Sequence, residues 1–479
     1  VRLPFAREIG EDEAFFALVA DRWLAGLWPY AASFDVKPPG LFAMFALAEA
    51  AFGASVATIK GLEIACVALV AFGLYLIGSR HISRGAGWFA AALYPVYSLT
   101  LSGVDAPTEL LKGPFEVFAV LAVLEALRGD RVGLGWIAAA GLSLGAAGTI
   151  KQTAIFPALA LFAAILWRAR TRGLATAATF GGGLLCAPLG FALLFWIGGH
   201  LPELLSGAVV GAAGRLNGDN ISFIGGLERF FPLMRPLLAL LVAGLLLLTR
   251  WTRIRRGPLA LGASVVVAWL VGEAVGIIAV RAMYDHYFLA LAPPLLLAAG
   301  ITVRHLIGDQ HERRLFVTMA ASALALAVPL ALDRRKVSPD VDTVAAARAA
   351  QRLSDVGVPR DGHILVLGRG LLVYIYSERQ PGARYFHPQH LLCDFPAPDS
   401  DPLATALSEN PSALIVNHGV GMVCERDDRW AEALAAIKAD YCYAAQVSSP
   451  PDRFDILVAR KDRAAPCPAT FPESTDAKR

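Results

Sequence analysis

Residues 10–41 read GEDEAFFALVADRWLAGLWPYAASFDVKPPGL. Acidic residues open the stretch, a roughly four-turn amphipathic segment follows, and an Asp-x-Lys-Pro-Pro cluster closes it just before the chain turns apolar again. Phe16, Val19, Ala20, Trp23 and Leu27 recur at the spacing of one helical face, while Asp12, Glu13, Asp21 and Arg22 lie off that stripe. The pattern predicts a helix that rests in a membrane interface rather than crossing it, with its acidic start in headgroup water. Residues 41–52 that follow are apolar on nearly all sides, Glu49 excepted. About a dozen residues cover little more than half the hydrocarbon thickness. They read as a second interfacial or re-entrant helix, started by Pro38 and Pro39.

Composition sets the frame around this stretch. With 56% hydrophobic and 17% charged residues over 479 positions, and a mean hydropathy of +0.53, the chain is too apolar for a soluble globule. It reads as mainly α, a polytopic transmembrane helix bundle. The net charge of +3 does not point to nucleic acid, because the arginines fall in short separated clusters rather than on one basic face.

Apolar segments fall at about 59–79, 86–102, 109–128, 133–150, 151–168, 174–198, 235–250, 258–280, 286–303 and 315–332, a bundle of about ten spans. Every second connection is basic: Arg80 and Arg84; Arg128 and Arg131; Arg168, Arg170 and Arg172; Arg250, Arg253, Arg255 and Arg256; Arg304, Arg313 and Arg314. The positive-inside rule makes these loops cytoplasmic. Residues 1–58, the alternate loops and everything after 332 then face outward. The opening VRLPF reads as the outer end of a helix, which predicts a first span preceding this numbering.

Polar residues collect toward the outward side. Lys112 and Glu116 are four apart on one segment, either a helix-stabilising pair or a functional one, and Glu273 lies in the outer half of another. Lys151 sits at an outward joint, Asp105 and Glu109 lie in SLTLSGVDAPTEL, and Arg281, Tyr284 and His286 lie in RAMYDHYF. Each has a plain alternative: a snorkelling cation, a turn residue or an interfacial histidine. The long outward connection 199–234, rich in Gly and Asn, predicts a mobile loop around a short helix, a lid or a plain surface loop.

From Asp333 the composition becomes polar. A helical pattern covers 343–356 and another 427–439, with strand-like runs at 363–367, 413–416 and 454–459. Residues 333–479 are thus expected to form a small extracytoplasmic α/β domain. Cys393, Cys424, Cys442 and Cys467 fall within it, enough for two disulfides in an oxidising compartment, with three connectivities open. No Cys-x-x-Cys pair supports zinc binding instead. There is no Gly-rich phosphate loop and no Gly-x-Ser-x-Gly elbow.

The order Asp12-Glu13, helix, Pro29-Tyr30, Asp35-x-Lys37-Pro38-Pro39, then an apolar helix ending at Gly53, resembles the first outward loop of GT-C glycosyltransferases. It is most similar to the bacterial branch related to the protein O-mannosyltransferases and the lipid A aminoarabinose transferase. KQT at 151–153 and HYFLALAPP at 286–294 extend the resemblance over about residues 1–332, and the C-terminal domain adds little to it. One departure is Val36, which separates Asp35 from Lys37.

The resemblance implies an inner-membrane enzyme that moves a sugar from a polyprenyl-phosphate carrier to a glycolipid, polysaccharide or protein acceptor on the extracytoplasmic face. Asp12 matches the catalytic aspartate, with Glu13 as understudy, and Asp35 orients Lys37, contacts the sugar or helps bind a divalent cation. Lys37 would hold the donor phosphate, seconded by Lys151 and Arg281. Asp105, Glu109, Tyr284 and His286 are acceptor or supporting contacts. The resemblance assigns no certain cofactor and leaves a divalent cation possible. Such chemistry needs a base near the acceptor hydroxyl and positive charge for the departing phosphate. A transporter or lipid-linked sugar flippase is the competing reading, since it too would carry buried intramembrane charges.

Overall fold

The computed structural model describes residues 9–101, 103–104, 107–129, 131–169, 173–214, 237–280, 284–308, 314, 316–322, 325, 343–392, 401–417, 437–449 and 452–460.

The opening stretch forms two helices, α1 (Glu11–Leu24) and α2 (Pro39–Phe52). Gly10 is the N-cap of α1, and its N–H donates to Glu13 Oε1 at 2.7 Å. Three acidic residues in the first turn complement the helix dipole. Proline starts α2 where a missing N–H costs nothing. Phe16 of α1 packs edge-on against Phe42 and Phe45 of α2, with centroids 6.3 and 5.8 Å apart.

The apolar stripe of α1 is buried as expected at Phe16, Val19 and Ala20, but Leu27 is exposed beyond the helix. The opposite face does not lie in headgroup water. Phe15, Leu18 and Arg22 are buried too, because the C-terminal domain covers them and supplies partners for the charges that amphipathicity assigned to solvent.

Behind this pair stands the bundle: α3 (Val56–His81), α4 (Arg84–Tyr97), α5 (Thr108–Ala126), α6 (Leu134–Ile150), α7 (Ile155–Ala169), α8 (Gly173–Ile197), α9 (Leu238–Thr249), α10 (Ala260–Val280) and α11 (Ala292–Ile307). A 3-10 turn, Asp285–Leu291, leads into α11. Ser55 and Ser83 cap α3 and α4 through Thr58 N–H and Ala86 N–H. A helix occupies each expected apolar segment from 59–79 to 286–303, whereas most of 315–332 lies outside the described residues. Among the described residues, four helical runs are long and apolar enough to cross a membrane by length and composition: Val56–His81, Gly173–Ile197, Ala260–Val280 and Asp285–Ile307. Gly141 and Gly145 let α6 lie backbone to backbone on α8, since a Cβ at either would strike the Phe180 or Leu184 backbone.

The two ends of the bundle differ in chemistry. At one end Arg80, His81 and Arg128 gather on Glu125, at 3.3, 3.4 and 3.8 Å. The Gly262 end of α10 approaches the His81 carbonyl, and Gly300 of α11 approaches Ala86, so Arg84, Arg253 and Arg304 lie toward that end. At the opposite end Lys60, near the start of α3, binds Glu13, Glu63 and the Val104 carbonyl at 2.9, 3.0 and 2.8 Å. Within the bundle, Lys112 of α5 bridges Glu116 and Glu273, and Trp269 Nε1 donates to Glu273 at 3.2 Å. Paired charges of this kind face a bundle interior.

The C-terminal domain contains α12 (Thr343–Asp355) and a four-stranded sheet of β1 (Ile364–Leu367), β2 (Ala413–Asn417), β3 (Tyr441–Ser449) and β4 (Asp452–Ala459), in the order β1-β2-β4-β3. β1 and β2 are parallel, with Ile364 opposite Ala413. β4 pairs antiparallel with both β2 and β3. Strand β3 was not expected from the sequence, and a register shift between Tyr443 and Ala445 breaks the alternation that would mark it. The helix expected at 427–439 lies almost wholly outside the described residues. Cys442 is disulfide-bonded, as the four cysteines of this domain led one to expect, whereas Cys66 and Cys186 remain thiols. Two short helices, α13 (Leu372–Ser377) and α14 (Pro388–Leu392), connect the sheet to the rest of the molecule.

Candidate active site

The segment between α1 and α2 is held by its own backbone and by the C-terminal domain. Tyr30 takes a left-handed conformation, φ 67°, uncommon for a residue of its bulk. Its N–H donates to the Ser33 carbonyl, and its hydroxyl donates to the Lys37 carbonyl at 2.6 Å. Arg384 Nε donates to the Tyr30 carbonyl at 2.9 Å, and Phe34 N–H donates back to the Arg384 carbonyl at 3.0 Å. Gln152 closes the other side, donating to the carbonyls of Val36 and Ala208 at 2.8 and 3.2 Å. Ala208 belongs to the long connection 199–234, whose residues 215–234 lie outside the described residues.

Asp12 and Lys37 face one another across this framework. Gly10 takes the N-cap position, so the Asp12 carboxylate is not spent on capping. About half of its side-chain surface remains exposed. The protein packed around Asp12 works against its charge, but Lys37, the His387 side chain and His286 outweigh that and hold the carboxyl well below the usual carboxylate range. Lys37 carries its ammonium over the Phe16 ring, 4.8 Å from the centroid.

Glu13 sits differently: fully buried, it binds Lys60 at 2.9 Å and the Gly10 N–H. Asp35 is also buried. Its Oδ1 accepts Val36 N–H at 2.7 Å and lies 3.7 Å from His390 Nε2. Glu109 is paired with Lys151, whose ammonium lies 3.8 Å from the Tyr287 ring centroid. Charge interactions link Lys151 to Lys37 and Glu109 to His286. Tyr284 and His286 stack at 5.7 Å. A small cavity whose lining includes Glu109, Lys112, Lys151, Glu273 and Tyr287 lies between this charged cluster and the bundle interior. Asp105 and Arg281 lie outside the described residues. Among the described residues no three His, Cys, Asp or Glu side chains gather as a metal site.

Two neighbours of the site come from a part of the chain that sequence reading set aside. His387 Nε2 is 3.6 Å from Asp12 Oδ1, and His390 faces Asp35. The two imidazoles lie 4.9 Å apart and both meet the Phe15 ring edge-on. The segment carrying them is docked onto α1: Arg22 donates to the Pro381 carbonyl at 2.7 Å, Gln380 donates to Asp21 at 2.7 Å, and Leu371 N–H donates to Glu11 at 3.1 Å. The His-Pro-Gln-His spacing was the available signal, but its targets, Asp12 and Asp35, lie far off near the start of the chain.

Residues 36–196 match the family of dolichyl-phosphate-mannose-protein mannosyltransferases. No curated protein sequence matches the chain. Among solved structures, it is similar to ArnT from Cupriavidus metallidurans bound to undecaprenyl phosphate, with a TM-score of 0.63 and 14% identity over 97% of each chain. It is also similar to the same protein in the apo state, with a TM-score of 0.57 and 15% identity over 96% of this chain and 95% of that one. The fold is therefore that of ArnT, a helical membrane bundle with a small C-terminal mixed sheet, and the resemblance stated from the first loop is borne out.

Proposed function

We propose that the chain is a GT-C glycosyltransferase that moves a sugar from a polyprenyl-phosphate carrier to an acceptor at the outer face of the inner membrane. The observation that carries this reading is that Asp12 and Lys37 lie close enough for the lysine's charge to favour the ionised carboxylate, with Lys37 at the start of the region that matches the family. Support for the carrier comes from the relative bound to undecaprenyl phosphate. Support for the outward face comes from the separation of this site from the arginine-rich end of the bundle.

The step is an inverting displacement. Asp12 accepts the proton of the acceptor hydroxyl as its oxygen forms the new bond to the anomeric carbon. The bond from that carbon to the carrier phosphate breaks, and its electron pair leaves with the phosphate, stabilised by Lys37 and seconded by Lys151 and Arg281. Glu13 is assigned to holding α1 against α3 through Lys60, and Asp35 to fixing the turn before Lys37. Glu109 positions Lys151, while Tyr284 and His286 border the acceptor side, and Asp105 is assigned to the acceptor from the sequence resemblance alone.

Purified protein is assayed with undecaprenyl-phosphate-linked mannose, and separately with undecaprenyl-phosphate-linked 4-aminoarabinose, using envelope lipid extract as acceptor. Asp12→Asn is expected to lower transfer by at least about a hundredfold while leaving a folded membrane protein. Undiminished transfer by that variant would sink the assignment. The Lys112–Glu116–Glu273 cluster keeps a transporter as the second reading. It would be favoured by uptake of labelled sugar into vesicles without chemical change.

A further inference from the structure

We infer that His387, from the C-terminal domain, is a positioning residue that aims and fixes the Asp12 carboxylate, so that the domain is a working part of the site rather than a cover. The inference rests on Asp12 as the base. His387 is nine-tenths buried, only 7% of its side chain being exposed. Its Nδ1 accepts the Gln389 N–H at 3.2 Å. A nitrogen that accepts a backbone N–H carries no proton, so the ring proton sits on Nε2. That nitrogen has no hydrogen-bond partner within the protein and lies 3.6 Å from Asp12 Oδ1, a separation that needs only a small shift to become a hydrogen bond.

The ring has little freedom to turn elsewhere. Phe15 meets it edge-on at 4.7 Å and His390 packs beside it at 4.9 Å. The segment that bears it is tied to α1 through Arg22, Gln380 and Leu371. A donor fixed in this way gives the carboxylate one favoured rotamer, leaving its other oxygen for the acceptor hydroxyl. It also favours the ionised form, together with the other charges facing Asp12: Lys37 from the segment before α2 and His286 from the turn before α11. Glu11 and Glu13 of its own helix are engaged with Leu371 N–H and with Lys60. His390, beside His387, faces Asp35.

The test compares His387→Phe, His387→Asn and His387→Gln with the unaltered protein across pH, using the undecaprenyl-phosphate-linked sugar that supports turnover in the assay above. Glutamine can place an N–H where Nε2 lies, whereas asparagine is one methylene too short. Phe and Asn are expected to lower kcat about tenfold, with donor KM unchanged, and to move the acid limb of the profile up by about one pH unit. Gln is expected to restore both. If the Phe variant does not fold, the Asn and Gln pair carries the comparison alone. Asn and Gln profiles that both overlay the unaltered protein overturn the inference, provided Asp12→Asn is inactive. An active Asp12→Asn instead shows that the base assignment itself has failed.

Discussion

Asp12 and Lys37 were legible because a short stretch holds both, and acid, aromatic face and Lys-Pro-Pro are local features. The behaviour of Glu13 was not legible, since Lys60, which claims it, lies 47 positions on. The same distance problem hid His387. Glu49 was visible only as an exception in an apolar run, yet burial, with Asp21 nearby, pushes its carboxyl up from 4.5 to about 8. A buried acid whose proton is held more tightly in the folded state stabilises fully below its unfolded value and loses that contribution as pH rises through the folded one. Thermal stability in detergent should therefore fall between about pH 4.5 and pH 8. Glu49→Gln, neutral throughout, should flatten that slope and melt higher at pH 8. Parallel melting curves for the two proteins over this range would refute the assignment.

At the scale of elements, helix positions followed from hydropathy because each span must satisfy its backbone internally and present apolar side chains to lipid. How the helices approach one another did not follow, because it depends on which glycine meets which neighbour. Gly40, in the first turn of α2, is such a contact: a Cβ there would collide with the side chain and carbonyl of Thr149 in α6, two residues before Lys151. The close approach sets the Lys37 segment beside Lys151. Gly40→Val should push α2 away from α6, cost about 1–3 kcal/mol of stability and raise donor KM more than it lowers kcat. Gly148→Val, one position earlier, meets nothing within 4 Å and serves as the control. An unchanged KM in the Gly40 variant would show that the α2–α6 contact does not position the phosphate site. Strand β3 and the docking of α14 on α1 were likewise illegible, the first because a bulge breaks its alternation, the second because docking joins segments that share no local pattern.

For the molecule as a whole, charge asymmetry links topology to chemistry. The Glu125 cluster with Arg80, His81 and Arg128 lies at one end, and the Glu13–Lys60 and Glu109–Lys151 pairs lie with the site at the other. If the basic end is cytoplasmic, donor sugar, acceptor and C-terminal domain all meet outside, where the Cys442 disulfide is stable. Single cysteines report this directly in a background with Cys66 and Cys186 replaced by serine. A cysteine at Glu409, exposed in the C-terminal domain, should react with a membrane-impermeant maleimide on intact cells. One at Gly129 or Arg256, exposed at the arginine-rich end, should react only after the membrane is opened. The reverse pattern would place Asp12 and Lys37 in the cytoplasm, where a carrier presenting its sugar to the outside could not reach them, and transfer would then have to occur before the lipid-linked sugar is flipped.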